Sequence, residues 1–374
     1  MPEIWLKYGT TDVVLDIRFD NLASQISSNF QILPEDQVKA AIDGVPLTDN
    51  LLVMALSPSK AVSKIILMLL ESARAKGFSV TVDVPARMAG TLRTNLTALA
   101  GGENVPINRA DYHSLQERIS KFQSAVVVSA VSYDPLFGFA GAPTGILRNF
   151  MPDKMGEAFS ARRDNLPSPG EELEPLRIAL SAMDGVSCNS VELVANSSGI
   201  AGVHSGPLQD AFGKASTQFK SISVVEEEPS KCVVMSASGE PGVQTALASS
   251  LNSLWNNVHI VKEGGTAILL AECRDGVGGG AHQMVVEGRL NPEQASQGPY
   301  IEGLEHFLFA NELRQKIELG LVSTLPRYYA SSRLGFTVYS CMNDVLQKLP
   351  EKIGKTYRAI VLSDADITLL KPRI

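Results

Sequence analysis

The stretch L-L-V-M-A at Leu51 to Ala55, S-P-S-K at Ser57 to Lys60, the run from Ala61 to Lys76, Gly77, and F-S-V-T-V-D-V at Phe78 to Val84 decides the fold. An unbroken apolar run followed by proline and serine reads as a strand buried on both faces. Ala61 to Lys76 reads as a helix, and Gly77 supplies the stop signal at its end. A second strand follows at once. Strand, loop, helix, strand is the βαβ unit of a parallel sheet.

The pattern repeats downstream. Leu115 to Phe122 reads as a helix, and S-A-V-V-V-S-A-V at Ser124 to Val131 as another buried strand. That strand feeds Y-D-P-L-F-G-F-A-G-A-P-T-G-I-L-R-N-F-M-P, Tyr133 to Pro152, a loop rich in glycine and aromatics but without histidine, cysteine or lysine. Open α/β sheets bind ligands beyond the carboxyl ends of their strands, so this loop lies where a site belongs.

Flanking segments complete two α/β sets. Residues 3 to 18 alternate apolar and polar positions about K-Y-G-T-T-D, a hairpin pattern. Val191 to Val194 and Gly199 to Val203 form a second hairpin through A-N-S-S, and Leu208 to Phe219 is helical. The acidic run E-E-E-P-S at Glu226 to Ser230 marks a domain boundary. Beyond it, K-C-V-V-M-S-A-S and T-A-I-L-L-A-E-C read as strands, Gln244 to Asn256 and Gly303 to Leu319 as helices, and R-A-I-V-L at Arg358 to Leu362 as the last strand. The expectation is an α/β protein of two lobes, residues 1–228 and 229–374. Each is a mostly parallel sheet flanked by helices, and a cleft is expected between them.

Composition narrows the function classes. A net charge of -7 over 374 residues, with no basic run, argues against nucleic-acid binding, which needs a cationic face. The longest apolar runs, such as I-I-L-M-L-L at Ile65 to Leu70, fall short of a membrane span. The opening M-P-E-I-W-L-K-Y-G-T resembles neither a signal nor a transit peptide. Cys188, Cys232, Cys273 and Cys341 stand far apart in or beside apolar runs, as buried reduced thiols would. A cytoplasmic protein is expected.

Residues able to do chemistry are scattered. His113, His204, His259, His282 and His306 form no metal-ligand spacing. His282 follows G-V-G-G-G and reads more simply as an exposed loop histidine than as a catalytic one. Cys273 beside Arg274 reads as a thiolate candidate or, more simply, as a buried structural cysteine. The glycines at Gly276 to Gly280 offer either a backbone anion cradle or a flexible turn. Arg87 and Arg148 fall near strand ends, where each suits a carboxylate or a surface ion pair.

Several stretches together resemble the lactate racemase family. They are L-K-Y-G-T-T-D-V-V-L-D-I at Leu6 to Ile17, S-V-E-L-V-A-N-S-S-G-I-A-G-V-H-S-G-P-L-Q-D-A-F at Ser190 to Phe212, V-K-E-G-G-T-A-I-L-L-A-E-C-R-D-G-V-G at Val261 to Gly278, and S-T-L-P at Ser323 to Pro326. The resemblance implies a two-lobed fold and, for the family, inversion of a 2-hydroxy acid by a nickel-pincer nucleotide. The residues for that reaction differ. The family's G-F-S-G-G-R-K-A-I-L meets G-F-A-G-A-P-T-G-I-L here, which puts Thr144 at the pincer lysine, Pro143 at the arginine before it and Asp134 at the first histidine. The resemblance further sets Ser160 near a nickel-ligating histidine and Ala86 at the histidine of the earlier turn. S-P-S-K stands for the D-x-T-R-P segment, and A-L-A-S-S-L at Ala246 to Leu251 covers the family's glutamine and lysine.

A threonine has no amine for a thioamide link, and nickel needs nitrogen or sulfur donors. Neither the cofactor nor a metal is therefore expected. The reading is a lactate-racemase-like protein that is not itself a lactate racemase. Its partners would be a small carboxylate or other anion, an intact paralogue or a second copy. Lys60, Arg87, Asp134, Thr144, Arg148 and Arg274 are the expected cleft residues. The alternative is a 2-hydroxy-acid racemase or epimerase acting through rearranged groups such as Lys154, His282 and Arg87.

Overall fold

The computed structural model describes residues 3–111, 114–161, 173–237, 240 and 243–373. These fall into two compact units. One holds the described residues from Phe30 to Ile222, and the other joins those up to Asn29 with those from Ser223 onward.

In the first unit, six strands lie in the order Gly199–Pro207, Asn189–Asn196, Ser124–Ala130, Leu51–Ala55, Val80–Pro85, Asn108–Ala110. All neighbours are parallel except the hairpin pair at the first edge. Leu51–Ala55 is buried at every position and explains the layering. Leu51, Val53 and Ala55 join one core with Val62, Ile66 and Leu69 of the helix Lys60–Ala75. Leu52 and Met54 join another with Ala142, Ile146 and Phe150. Alternate side chains of a strand leave opposite faces, so an unbroken apolar run needs helices on both. Ser59 caps the first of these helices, its Oγ accepting from the Val62 N–H at 3.2 Å.

The second unit carries six parallel strands in the order Thr337–Tyr339, Glu318–Val322, Val261–Leu270, Ser230–Ser236, Ala359–Leu362, Leu22–Ile26. The opening hairpin, Glu3–Tyr8 with Thr11–Asp16, packs Ile4, Leu6 and Leu15 against Cys232, Val234 and Ile268. A single cut at residue 228 therefore misses the N-terminal segment. Residues 22–26 hydrogen-bond into the sheet built mainly by the C-terminal half, and a strand belongs where its backbone pairs.

Other expectations shift for local reasons. The segment expected to be helical from Gly303 to Leu319 breaks in two. The helix Leu304–Leu313 stops before Arg-Gln-Lys, and Glu318–Val322 is a strand whose last four residues are buried. Val224–Glu227, in the acidic run, pairs with Leu369–Pro372. The helices Glu35–Asp43 and Ala89–Leu99 and the edge strand Leu22–Ile26 are additions to the sequence reading. All four cysteines are free; Cys341 is exposed, against the expectation that it is buried. No helix of the described residues is long and apolar enough to cross a membrane.

Candidate functional site

The stretch Tyr133 to Pro152 is ordered secondary structure rather than an open loop. Ser132–Asp134 and Gly138–Ala140 form a tight antiparallel hairpin, and Ala142–Phe150 is a helix. Pro143 in its first turn and buried Ala142, Ile146 and Phe150 at fourfold spacing account for the helix. The hairpin turn is closed by Asp134, whose Oδ1 accepts the N–H groups of Leu136 at 2.8 Å and Phe137 at 3.0 Å. Arg148 donates from Nη2 to Oδ1 at 2.9 Å and to Oδ2 at 2.8 Å, and its guanidinium lies 5.0 Å from the Phe137 ring centre. Two expected cleft residues thus neutralise each other. The pair staples helix to hairpin with only 15% and 11% of the side chains exposed.

Thr144, at the position the resemblance gives to a lysine, is 1% exposed. Its Oγ1 accepts the Gly141 N–H at 3.0 Å and donates to the Gly141 carbonyl at 3.2 Å. That is N-terminal capping, and it engages the hydroxyl both as acceptor and as donor. Gly141 is required by space: a Cβ there would press into the Phe212 ring.

Beneath the helix lies a group the sequence reading did not single out. Glu192, fully buried on Asn189–Asn196, accepts the Ala142 N–H on Oε1 at 2.7 Å and the Ser129 hydroxyl on Oε2 at 2.5 Å. Burial pushes its carboxyl up to about 7, against the pull of those two bonds. Its signal in the sequence was a lone glutamate inside the apolar strand S-V-E-L-V, where a charge is costly unless it is paired or protonated.

Lys60 opens the helix after Leu51–Ala55, and Arg87 lies in the turn after Val80–Pro85; both are exposed. These two strands are parallel neighbours, with Ser124–Ala130 on the other side of the first. Lys60, Arg87 and the Asp134 hairpin therefore follow the carboxyl ends of three adjacent strands. Lys154 is exposed and paired with Glu157 at 2.7 Å, one turn along its own helix. Ser160 bonds the Gly156 carbonyl at 2.9 Å.

In the other unit, Arg274 is exposed in the turn after Val261–Leu270. The glycine loop behind it is a packing turn. The carbonyls of Gly276 and Val277 accept the N–H groups of Leu247 and Ala248 at 3.0 and 3.1 Å, capping the helix Leu247–Asn257. The S-T-L-P turn is stitched beside it, Thr324 giving its N–H and hydroxyl to the Glu272 carbonyl at 3.0 and 2.7 Å. Cys273 is 1% exposed, and burial first, then the Glu272 carboxylate, pushes its thiol up to about 12, which disfavours a thiolate.

His282 is not an exposed loop histidine. It lies in the helix Ala281–Val286 at 1% exposure, edge-on to Phe307. Its Nδ1 has no hydrogen-bond partner among the described residues. Burial, with His306 adding to it, holds the imidazole neutral and its pKa down at about 3. His113 lies outside the described residues. Among those described, no three histidine, cysteine or carboxylate side chains converge as a metal site.

No family model and no curated protein sequence matches the chain. Solved structures do. The lactate racemase apoprotein from Thermoanaerobacterium thermosaccharolyticum aligns at TM-score 0.78 and 16% identity over 99% of this chain and 100% of that one. A Thermotoga maritima protein aligns at TM-score 0.67 and 9% identity over 91% and 99%. With mostly parallel sheets flanked by helices and this whole-length match, the chain has the lactate-racemase-like fold.

Proposed function

We propose that this protein uses a lactate-racemase-like scaffold to bind a small carboxylate or related anion and does not run nickel-pincer chemistry. The observation that carries this reading is the chemistry at position 144. A pincer nucleotide joined as a thioamide needs a lysine amine, and here a buried threonine hydroxyl is consumed by the cap of its own helix. Asp134, the counterpart of a family histidine, is committed to Arg148 and two backbone N–H groups. The residues at this loop therefore do not fit the nickel-pincer group.

Anion binding is supported by the placement of Lys60 and Arg87 after the carboxyl ends of neighbouring strands, where open α/β sheets take their ligands. An arginine there can meet a carboxylate with two parallel N–H donors. An intact paralogue or a second copy of the chain completes the set of partners this reading allows.

The test is to express the chain in a host able to make the nickel-pincer nucleotide. Intact mass, nickel content and interconversion of lactate enantiomers are then measured together. The expected result is an unmodified mass, no stoichiometric nickel and no lactate interconversion. A nickel-dependent adduct on a lysine with racemase activity would overturn the proposal in favour of a rearranged 2-hydroxy-acid racemase.

A further inference from the structure

The second unit carries a groove of about 390 Å³ at the amino ends of three neighbouring strands, away from the carboxyl-end turns described above. Gly264 and Gly265 lie early in Val261–Leu270, Glu318 begins the next strand, and Thr337 begins the third. Its size falls in the range of small-molecule sites, roughly 300–1,000 Å³. Three cations line it, Arg314, Lys316 and Lys352, against one carboxylate, Glu318.

The charges do not cancel. Lys352 grips both oxygens of Glu318 at 2.6 Å, and the Tyr339 hydroxyl donates to the same carboxylate at 2.9 Å, so Glu318 is fully answered on its own wall. Arg314 has no carboxylate partner among the described residues. Its Nη1 donates to the Leu334 carbonyl at 2.8 Å and its Nη2 to the Asn311 Oδ1 at 2.5 Å, both neutral acceptors. Burial lowers its guanidinium pKa from the ordinary value, with no acidic neighbour pulling the other way. Gly335, at φ +73°, makes room for this side chain, because a Cβ there would overlap Nη1. Lys316 is 61% exposed and among the described residues pairs with Glu312 across one turn, a contact worth little in water.

A half-buried cation without a counter-charge is unfavourable unless something supplies the charge. We propose that this groove binds a small dianion bearing phosphate or carboxylate groups, held between Arg314 and Lys316 on one side and Lys352 on the other. Arg314 still has unused N–H donors for an oxyanion, and Gly264, where a Cβ would meet only open space, leaves its part of the wall free of a side chain. The proposal is independent of the anion reading at the other sheet.

The experiment is titration calorimetry of the full chain with inorganic phosphate and with succinate, against sodium chloride at matched ionic strength. Saturable binding of phosphate alone assigns a phosphoryl ligand, and of succinate alone a dicarboxylate; binding of both supports the shared chemistry. Lys316→Glu, at an exposed position that leaves the fold intact, is expected to weaken binding at least tenfold. Arg314→Lys is expected to weaken it several-fold. Glu318→Gln is expected to strengthen it several-fold by freeing Lys352. The proposal is overturned if neither probe gives saturable heat above the chloride control, or if Lys316→Glu and Arg314→Lys bind as tightly as the parent.

Discussion

Two turns, one in each unit, each follow the carboxyl end of a buried parallel strand. After Ser124–Ala130 the chain is closed by side chains: the ion pair of Asp134 with Arg148, and the buried Glu192 carboxyl hydrogen-bonded to the start of the next helix. After Val261–Leu270 it is closed by backbone. Glycines at φ +79°, +87° and +66° (Gly276, Gly278, Gly280) and Cys273 at +53° bend the chain so that its carbonyls cap a neighbouring helix. The difference teaches that turns at the carboxyl ends of parallel strands can be sealed by two unrelated devices. The charged seal fails when one ion is removed, and the backbone seal fails when a side chain is added.

The largest effect should come from breaking the charged seal. Asp134→Ala takes the carboxylate away from the mostly buried Arg148 guanidinium and frees two N–H groups of the hairpin turn. A loss of about 3–5 kcal/mol is expected in denaturant unfolding. Arg148→Met, which keeps apolar bulk over Phe137, should cost less. If Asp134→Ala unfolds at the parental midpoint, the seal is not ionic.

The backbone seal is tested by Gly280→Ala. The residue has φ +66°, and the new Cβ would overlap the Glu302 carbonyl, a backbone atom that cannot swing away. Roughly 2–3 kcal/mol is expected from strain plus overpacking. Gly141→Ala sharpens the contrast. Its backbone is extended and its clash is with the edge of the Phe212 ring, so about 1–2 kcal/mol should follow. Equal losses at the two positions would erase the distinction between conformational and spatial need.

The units should also answer pH with opposite signs. Glu192 has its carboxyl raised from 4.5 to about 7, so the folded state holds a proton that the unfolded state has lost. Stability from this group falls as pH rises through that window and is level above it. His282 is lowered from 6.5 to about 3, so the unfolded chain binds the extra proton, and stability falls as pH drops from 6.5 towards 3. Hydrogen exchange read separately on peptides of each unit should show these opposing limbs. Glu192→Gln should flatten the first and His282→Leu the second. Unchanged limbs in both variants would remove these two groups as the cause.

What the sequence made legible follows the same line. Buried parallel strands such as Leu51–Ala55 announce themselves, because a segment covered on both faces must be apolar throughout. The helix Ala142–Phe150 was signalled by Pro143 and by Ala142, Ile146 and Phe150, but the surrounding glycines read as loop. Glycine at 141 answers a tertiary demand from Phe212, which no local pattern encodes. Lys60, Arg87 and the Asp134 hairpin were legible as strand-end residues. The pairing of Asp134 with Arg148 and the burial of His282 depend on contacts between segments, and spacing alone is silent about those. The strand Leu22–Ile26 was missed because its edge position leaves it half polar.

The smallest expected effect tests the lysine nearest in sequence to Thr144. Lys154 lies ten positions after Thr144, outside the sealed hairpin and helix start. Its ammonium pairs with Glu157 at 2.7 Å with 51% and 53% of the two side chains exposed. A solvent-exposed pair of this kind contributes little, because water screens the attraction and both side chains give up rotamer freedom. Lys154→Ala should therefore change stability by no more than about 0.5 kcal/mol. It should also leave the intact mass differing from the parent only by the substitution itself. A larger loss would mean that the exposed pair is structural, and disappearance of a mass adduct present on the parent would mean that this lysine does chemistry the buried Thr144 cannot, and that the charged turn is a working site rather than a sealed one.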